Sequence, residues 1–205
     1  MPAQPALDTY RQKRDFRRTP EPRGRARPSR GAPHFVVQKH AATSLHYDVR
    51  LEDEGVLKSW SVPKGPSLNP SDKRLAIRTE DHPLDYRNFE GVIPEGEYGA
   101  GSVIVWDAGT FRNISERNGK PIPLTQALRN GRAAVWLEGK KLRGGFALTR
   151  IRTGKQEAWL LIKMRDAEAN RRRNPVRSDP ASIRSGRTIE EIAGARPTRR
   201  RSAAP

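Results

Sequence analysis

The sequence predicts an all-β fold: a single antiparallel β-barrel of about eight strands with short crossover helices and disordered basic flanks at both ends. Three observations predict it. Eight segments alternate apolar and polar residues with period two, as half-buried strands do. Turn-forming residues separate these segments. Within the same region only Leu124 to Arg129, stopped by Asn130-Gly131, has helical spacing.

Along the chain, residues 1–33 mix Pro, Arg and Gly with few large apolar side chains and cannot bury enough surface to fold alone. They are expected to be flexible, with part ordering over a site. The barrel domain is expected over 34–166. Its strands are His34 to His40, Leu45 to Leu51, Leu57 to Val62, Leu75 to Glu80, Ser102 to Asp107, Ala133 to Leu137, Gly144 to Ile151 and Glu157 to Met164. Glu54-Gly55, Pro63-Lys64-Gly65-Pro66, Asn69-Pro70, Asn118-Gly119, Gly139-Lys140 and Gly154-Lys155 supply turns between them. Closing the sheet removes its exposed edges. Residues 167–205 repeat the Arg-rich character of the start and read as a disordered tail or interdomain linker, with a helical turn or two at Thr188 to Ala193.

With 205 residues the chain supports one core of ordinary size. It has no cysteine, which excludes disulfides, thiolate zinc sites and a thiol nucleophile, so any metal falls to histidine and carboxylate. No apolar run is long enough for a membrane span and the N-terminus lacks a signal-like apolar stretch, so no membrane association and a cytoplasmic home are expected. The net charge is +17, with nine basic against three acidic residues in 1–33, ten against five in 166–205, and 21 against 15 between them. Basic ends alone are commonly just solvated; an excess in the middle as well points toward a phosphate-bearing partner.

The most informative stretch is Leu45-His46-Tyr47-Asp48-Val49-Arg50-Leu51. Alternation places His46, Asp48 and Arg50 on one face of a strand. A hairpin with the preceding strand brings His40 close to His46. Two imidazoles and a carboxylate with open coordination positions suit manganese or zinc. The competing reading is the solvent side of a sheet on which Asp48 and Arg50 merely pair. Two of the four histidines sit at this one turn, which favours the metal. His82 precedes Pro83, which enforces an extended backbone and could present the imidazole at a barrel rim as acid, base or phosphate ligand; the alternative is a turn histidine without a role. His34 is assigned none. Pro94 to Gly101 lacks the lysine of a phosphate-binding loop and precedes a strand, so it reads as a structural turn, and Ser61 and Ser102 lack a histidine partner for a triad.

Together with Trp60-Ser61-Val62-Pro63-Lys64-Gly65-Pro66, Glu80-Asp81-His82-Pro83 and Glu90-Gly91-Val92-Ile93-Pro94-Glu95-Gly96-Glu97-Tyr98-Gly99, this constellation closely resembles the 3′-phosphoesterase domain of bacterial DNA ligase D, from about Tyr10 to Asp166. The resemblance implies a β-barrel enzyme dependent on manganese or another divalent transition metal. Such an enzyme removes a 3′-terminal ribonucleoside and then the 3′-phosphate, leaving 3′-OH ends for DNA repair. It implies metal ligands at His40, His46 and Asp48, and a phosphate-holding group of Arg50, His82 and Tyr86. Supporting positions are Gln38, Lys64, Arg74 and Glu80, with Arg14, Asp15 and Glu21 in an assisting N-terminal segment. The implied partners are DNA or RNA/DNA primer–template 3′ ends, with ligase and polymerase components of end joining, in a bacterial or archaeal cytoplasm at the nucleoid. Ser185 to Ile192 resembles a linker leading to a ligase domain, which leaves open a stand-alone protein or a fragment.

Two other classes compete. A non-catalytic, basic nucleic-acid-binding barrel predicts salt-sensitive binding without turnover. A small-molecule, cupin-like metalloenzyme fits the histidines but has no use for Lys64, Arg74 and the basic ends. A monomer is expected, since no heptad pattern offers a dimer seam.

Overall fold

The computed structural model describes residues 6–25 and 31–194. A short helix, α1 (Asp8–Gln12), precedes a meander of β1 (His34–Ala41), β2 (Leu45–Asp53) and β3 (Val56–Val62). Then come β4 (Arg74–Arg78), β5 (His82–Pro83), a 3-10 turn (Leu84–Asn88), β6 (Gly91–Ile93), β7 (Gly101–Asn113) and a small hairpin of β8 (Glu116–Arg117) and β9 (Lys120–Pro121). Helix α2 (Leu124–Arg129) leads into β10 (Arg132–Gly139), β11 (Arg143–Arg152) and β12 (Ala158–Lys163), followed by α3 (Pro175–Ser178) and α4 (Ile189–Gly194).

Pairing runs β1-β2-β3-β4-β12-β11-β10-β7 and closes where β7 returns to β1, all antiparallel. The eight strands of the closed ring are the eight read from the sequence, and α2 has the predicted bounds. β7 serves three neighbours: 102–110 pairs with β1, 109–113 with β10 and 101–103 with β6, and the β1 register shifts at a bulge between Val37 and Gln38.

The alternation has a specific outcome. Phe35 and Val37 of β1, Tyr47, Val49 and Leu51 of β2, and Trp60 and Val62 of β3 join Trp106, Phe111, Phe146 and Trp159 in the barrel interior. Their neighbours Val36 and Leu57 belong to a second apolar cluster with Tyr10, Leu84, Tyr86, Phe89, Ile93, Val103 and Val105. A second layer therefore covers the outer wall of β1–β3, and the polar row of β2 lies between two cores.

This layer corrects the expectation of disordered flanks. In residues 6–25, Leu7 and Tyr10 are buried, and the Tyr10 ring packs on Phe16, His82 and Tyr86. In 167–194, Ile189 and Ile192 of α4 pack on Ile104. The indole Nε1 of Trp106 donates to the Asp179 carbonyl (2.8 Å), and Lys141 Nζ donates to the carbonyls of Asp179 and Ala181 (2.8 and 2.5 Å). Neither flank has a core of its own; each fills apolar gaps that the barrel leaves, which a composition average does not register. The parts of the disorder expectation at 1–5, 26–30 and 195–205, including Arg199, Arg200 and Arg201, lie outside the described residues.

Gly101 opens β7 with φ +139°, and a Cβ there would lie 2.1 Å from the Ala41 carbonyl oxygen across the β1–β7 seam. Gly101→Ala is expected to lower stability by about 2 kcal/mol through strain at the position that closes the barrel. The urea midpoint measures it, and an unchanged midpoint would mean the seam has slack to absorb a methyl group.

Candidate metal centre

β1 and β2 form the predicted hairpin, with His40 directly opposite His46 and Gln38 opposite Asp48. His40 Nδ1 lies 3.6 Å from Asp48 Oδ2, and His46 Nε2 lies 3.7 Å from Asp48 Oδ1. One ligand atom from each of the three residues falls within 4.8 Å of the others. The two imidazole–carboxylate spacings are close to the roughly 3.3–3.6 Å that separates tetrahedral donors each about 2.0–2.2 Å from one ion. The ring nitrogens facing away are both occupied: His40 Nε2 donates to the Gly99 carbonyl (2.8 Å) and His46 Nδ1 donates to the Ser44 carbonyl (2.9 Å). Each carbonyl fixes a tautomer that leaves a lone pair pointing inward, as outer partners of metal-bound histidines do. The donor set fits a divalent ion, and its most open member is His46, whose side chain is 19% exposed.

Arg50 stands next in the row and is held on three sides. Its Nε donates to Gln38 Oε1 (2.8 Å), its Nη2 donates to Asp48 Oδ2 (3.1 Å), and its Nη1 lies 3.0 Å from His82 Nδ1. Gln38 is itself anchored, its amide donating to the carbonyls of Tyr86 and Phe89. The guanidinium also lies over the Tyr86 ring, 4.9 Å from its centre, and the His82 ring meets Tyr86 edge-on at 4.8 Å. Arg50, His82 and Tyr86 thus form one cluster beside the ligands. The expectation of His82 at a barrel rim is corrected: as part of β5 it pairs with Leu57 of β3 and is 3% exposed. Pro83 does enforce the extended backbone, and that backbone pairs with β3 as a short strand.

The N-terminal segment closes the cluster from above. Arg14 Nε donates to Glu21 Oε1 (2.8 Å) and Nη1 to Glu80 Oε1 (3.1 Å), while Nη2 lies 3.4 Å from His82 Nε2. Glu21 also accepts from the hydroxyls of Tyr86 (2.9 Å) and Thr19 (2.8 Å). One His82 tautomer gives both ring nitrogens a partner, Nδ1–H donating to the Glu80 carbonyl (2.9 Å) and Nε2 accepting from Arg14 (3.4 Å), and in it the Arg50 Nη1 contact with Nδ1 is a close approach and not a hydrogen bond. We assign the proton to Nδ1 on that pattern.

Of the residues expected at the site, His40, His46, Asp48, Arg50, Gln38, His82, Tyr86, Glu80, Arg14 and Glu21 converge. Three stand apart from this network of hydrogen bonds and ion pairs. Asp15 pairs with Arg17, Arg74 pairs with Asp72, and Lys64 is exposed in the turn after β3. Sequence reasoning missed Lys13, whose ammonium joins Glu80 (3.0 Å) to the Tyr98 hydroxyl (3.1 Å). It missed Ser59, 3.4 Å from His82, whose place on the outward row of β3 was a usable signal. It also read Pro94 to Gly101 as purely structural, whereas this loop supplies the carbonyl that orients His40.

Charge in the cluster is tightly balanced. Burial pushes the Asp48 carboxyl up, but Arg50 and the two imidazoles outweigh it and hold its pKa down at about 2. Burial, then the positive charges of Arg50 and Arg14, pushes His82 well below the usual imidazole value, so its ring is neutral. Both groups bind protons more weakly folded than unfolded, so stability falls as pH drops below the unfolded values, about 6.5 for His82 and 3.9 for Asp48. The metal-free protein is therefore expected to lose thermal stability from about pH 6.5 downward, and His82→Gln should flatten that decline between about pH 6.5 and 5. Melting temperatures across this range decide it; parallel curves would mean that His82 is not held neutral.

Residues 38–150 match the family model described as the DNA ligase D 3′-phosphoesterase domain. Over 98% of its length the chain is similar, at 46% identity, to the multifunctional non-homologous end joining protein LigD of Pseudomonas aeruginosa. Over 80% it is 45% identical to the multifunctional non-homologous end joining DNA repair protein LigD of Mycobacterium tuberculosis. These matches cover 24% of the first relative and 20% of the second. No helix among the described residues is long and apolar enough to cross a membrane.

Proposed function

Because the chain belongs to the DNA ligase D 3′-phosphoesterase domain family, we propose that it heals the 3′ ends of nucleic-acid strands for end joining, as a divalent-metal-dependent hydrolase. The ion proposed is manganese, and the reaction is removal of a 3′-terminal ribonucleoside followed by removal of the 3′-phosphate. Ligase and polymerase activities are its proposed functional partners. The observation that carries this reading is the convergence of His40, His46 and Asp48 with Arg50 and a neutral His82 in one buried cluster.

A bound divalent ion held by His40, His46 and Asp48 would supply Lewis acidity at the phosphorus and favour deprotonation of an attacking water. Arg50, aimed by Gln38, offers guanidinium N–H groups to a nonbridging phosphate oxygen, where charge builds as the ester bond breaks. His82 is held neutral first by burial and then by the two guanidiniums on either side of it. A phosphate entering beside them brings negative charge that reverses this field and raises the imidazole's proton affinity. The ring, having taken up a proton from water, gives it to the leaving ribose oxygen as the P–O bond breaks and returns to its neutral form. Arg14, locked by Glu21 and Glu80, keeps Nε2 of that ring in line.

In single-turnover phosphate release from a 3′-phosphorylated strand with manganese, His82→Gln is expected to slow the chemical step by about a hundredfold or more. Manganese affinity should be unchanged. A loss of manganese binding that accounts for the slower rate would remove His82 from proton transfer.

A further inference from the structure

Beyond the metal centre, we infer that the strand leading to the 3′ end is held by a ridge of arginines from the C-terminal segment; this rests on the proposed action at 3′ ends. The path begins at the ligands. Val62 pairs with Tyr47, the neighbour of His46, and the turn after it, closed by Gly65 N–H to Val62 O (3.0 Å), carries exposed Lys64. Gly65, with a backbone φ of +68°, lies so close to Tyr47 and Val176 of α3 that a Cβ would come within 2.9 Å of both side chains. Asn170 N–H donates to the Leu68 carbonyl (2.9 Å), fixing the segment before α3 onto the loop after β3. The C-terminal segment is thereby placed beside the His46 end of the barrel.

What this placement exposes is uniform in sign. Arg165, Arg171, Arg172 and Arg177 from the C-terminal segment, with Lys64 and Lys73 from the loop, are exposed and make no ion pair among the described residues. The nearby carboxylates are already engaged: Asp72 by Arg74 and Ser67, Asp166 by Lys163, and Asp179 by Arg173 and Ser178. A group of unneutralised cations on segments packed beside the His46 end of the barrel fits the next phosphates of the same strand. An acidic protein surface is the competing occupant; a position beside the His46 end of the barrel favours the strand.

The test uses the full chain with the triple variant Arg171→Glu/Arg172→Glu/Arg177→Glu. The probes are a 3′-phosphorylated strand of about 12 nucleotides, within the span that single-strand sites cover, and a 3′-phosphorylated dinucleotide too short to reach the ridge. Fluorescence anisotropy reads binding of the longer strand, and phosphate release with manganese reads turnover of both. The variant is expected to bind the longer strand at least about tenfold more weakly, with a salt slope shallower by about 0.7 for each phosphate no longer neutralised. Its KM on that strand should rise with kcat unchanged, and its kinetics on the dinucleotide should match wild type. Unchanged affinity and salt slope would overturn the ridge, as would equal impairment on the dinucleotide, which would place these arginines in the site itself. Wild-type inactivity on both probes would count against the functional reading alone, because anisotropy still reports on the ridge.

Discussion

Replacing His46 by alanine is expected to abolish manganese binding and 3′-end hydrolysis while leaving the barrel folded. His46 is one of three donors within 4.8 Å, and its imidazole lies outside both apolar cores, with Nδ1 donating to the Ser44 carbonyl on the most open side of the site. Loss of an outer-shell partner already costs about 10–100-fold in metal affinity, so loss of a direct donor from a three-residue set should exceed that. Calorimetric titration with manganese, run beside a thermal melt, separates the two effects. A variant that melts like wild type, binds no manganese and releases no phosphate is the expected result; one that still binds manganese at wild-type affinity takes His46 out of the ligand set.

The second large effect is expected at Glu21, which lies in a flank that composition reads as disordered. Its side chain is fully buried and accepts from Arg14 Nε, the Tyr86 hydroxyl and the Thr19 hydroxyl. Glu21→Ala removes the acceptor of all three at once and leaves the buried Arg14 with Glu80 as its remaining ion-pair partner among the described residues. Removing one member of a buried pair costs about 3–5 kcal/mol. That loss should fall on residues 6–25, whose Tyr10 and Phe16 pack in the outer cluster and not the barrel interior. The segment should become sensitive to brief proteolysis, the barrel should survive, and phosphate release should drop with Arg14 no longer aligned. Glu21→Gln, which keeps an acceptor for the hydroxyls, should lie between the two. A Glu21→Ala protein in which residues 6–25 resist protease as in wild type would show that the apolar packing of Leu7 and Tyr10 holds the segment without the network.

How far the fold was legible depends on what each element answers to. Seven of the eight barrel strands carry an interior face of large apolar residues such as Tyr47, Val49 and Leu51, and β4, which gives the core only Ala76, still alternates, so all eight read correctly. β5 and β6 are two and three residues long and exist only because β3 and β7 offer them pairing partners, which leaves no periodic trace. Alternation put His46, Asp48 and Arg50 on one face, but it was silent on whether that face meets solvent. Tyr10, Leu84 and Tyr86 decide that, from elements distant in sequence. The ligands themselves were legible because a tight hairpin makes His40 and His46 neighbours. The carbonyls of Gly99 and Ser44 that orient them were not, since any residue supplies a carbonyl. Resemblance located Arg14 and Glu21 where composition argued for disorder, while Asp15, Lys64 and Arg74 stand outside the bonded network.

Metal-dependent hydrolysis at a 3′ end is tested most directly by release of nucleoside and phosphate from a duplex primer ending in one ribonucleotide, with manganese and after chelation. Ribonucleoside release followed by phosphate release, leaving a 3′-OH end, is the predicted result, with both steps stopped by the chelator. Salt-sensitive binding of the primer with no product at any manganese concentration would contradict it and leave a nucleic-acid-binding barrel without catalysis.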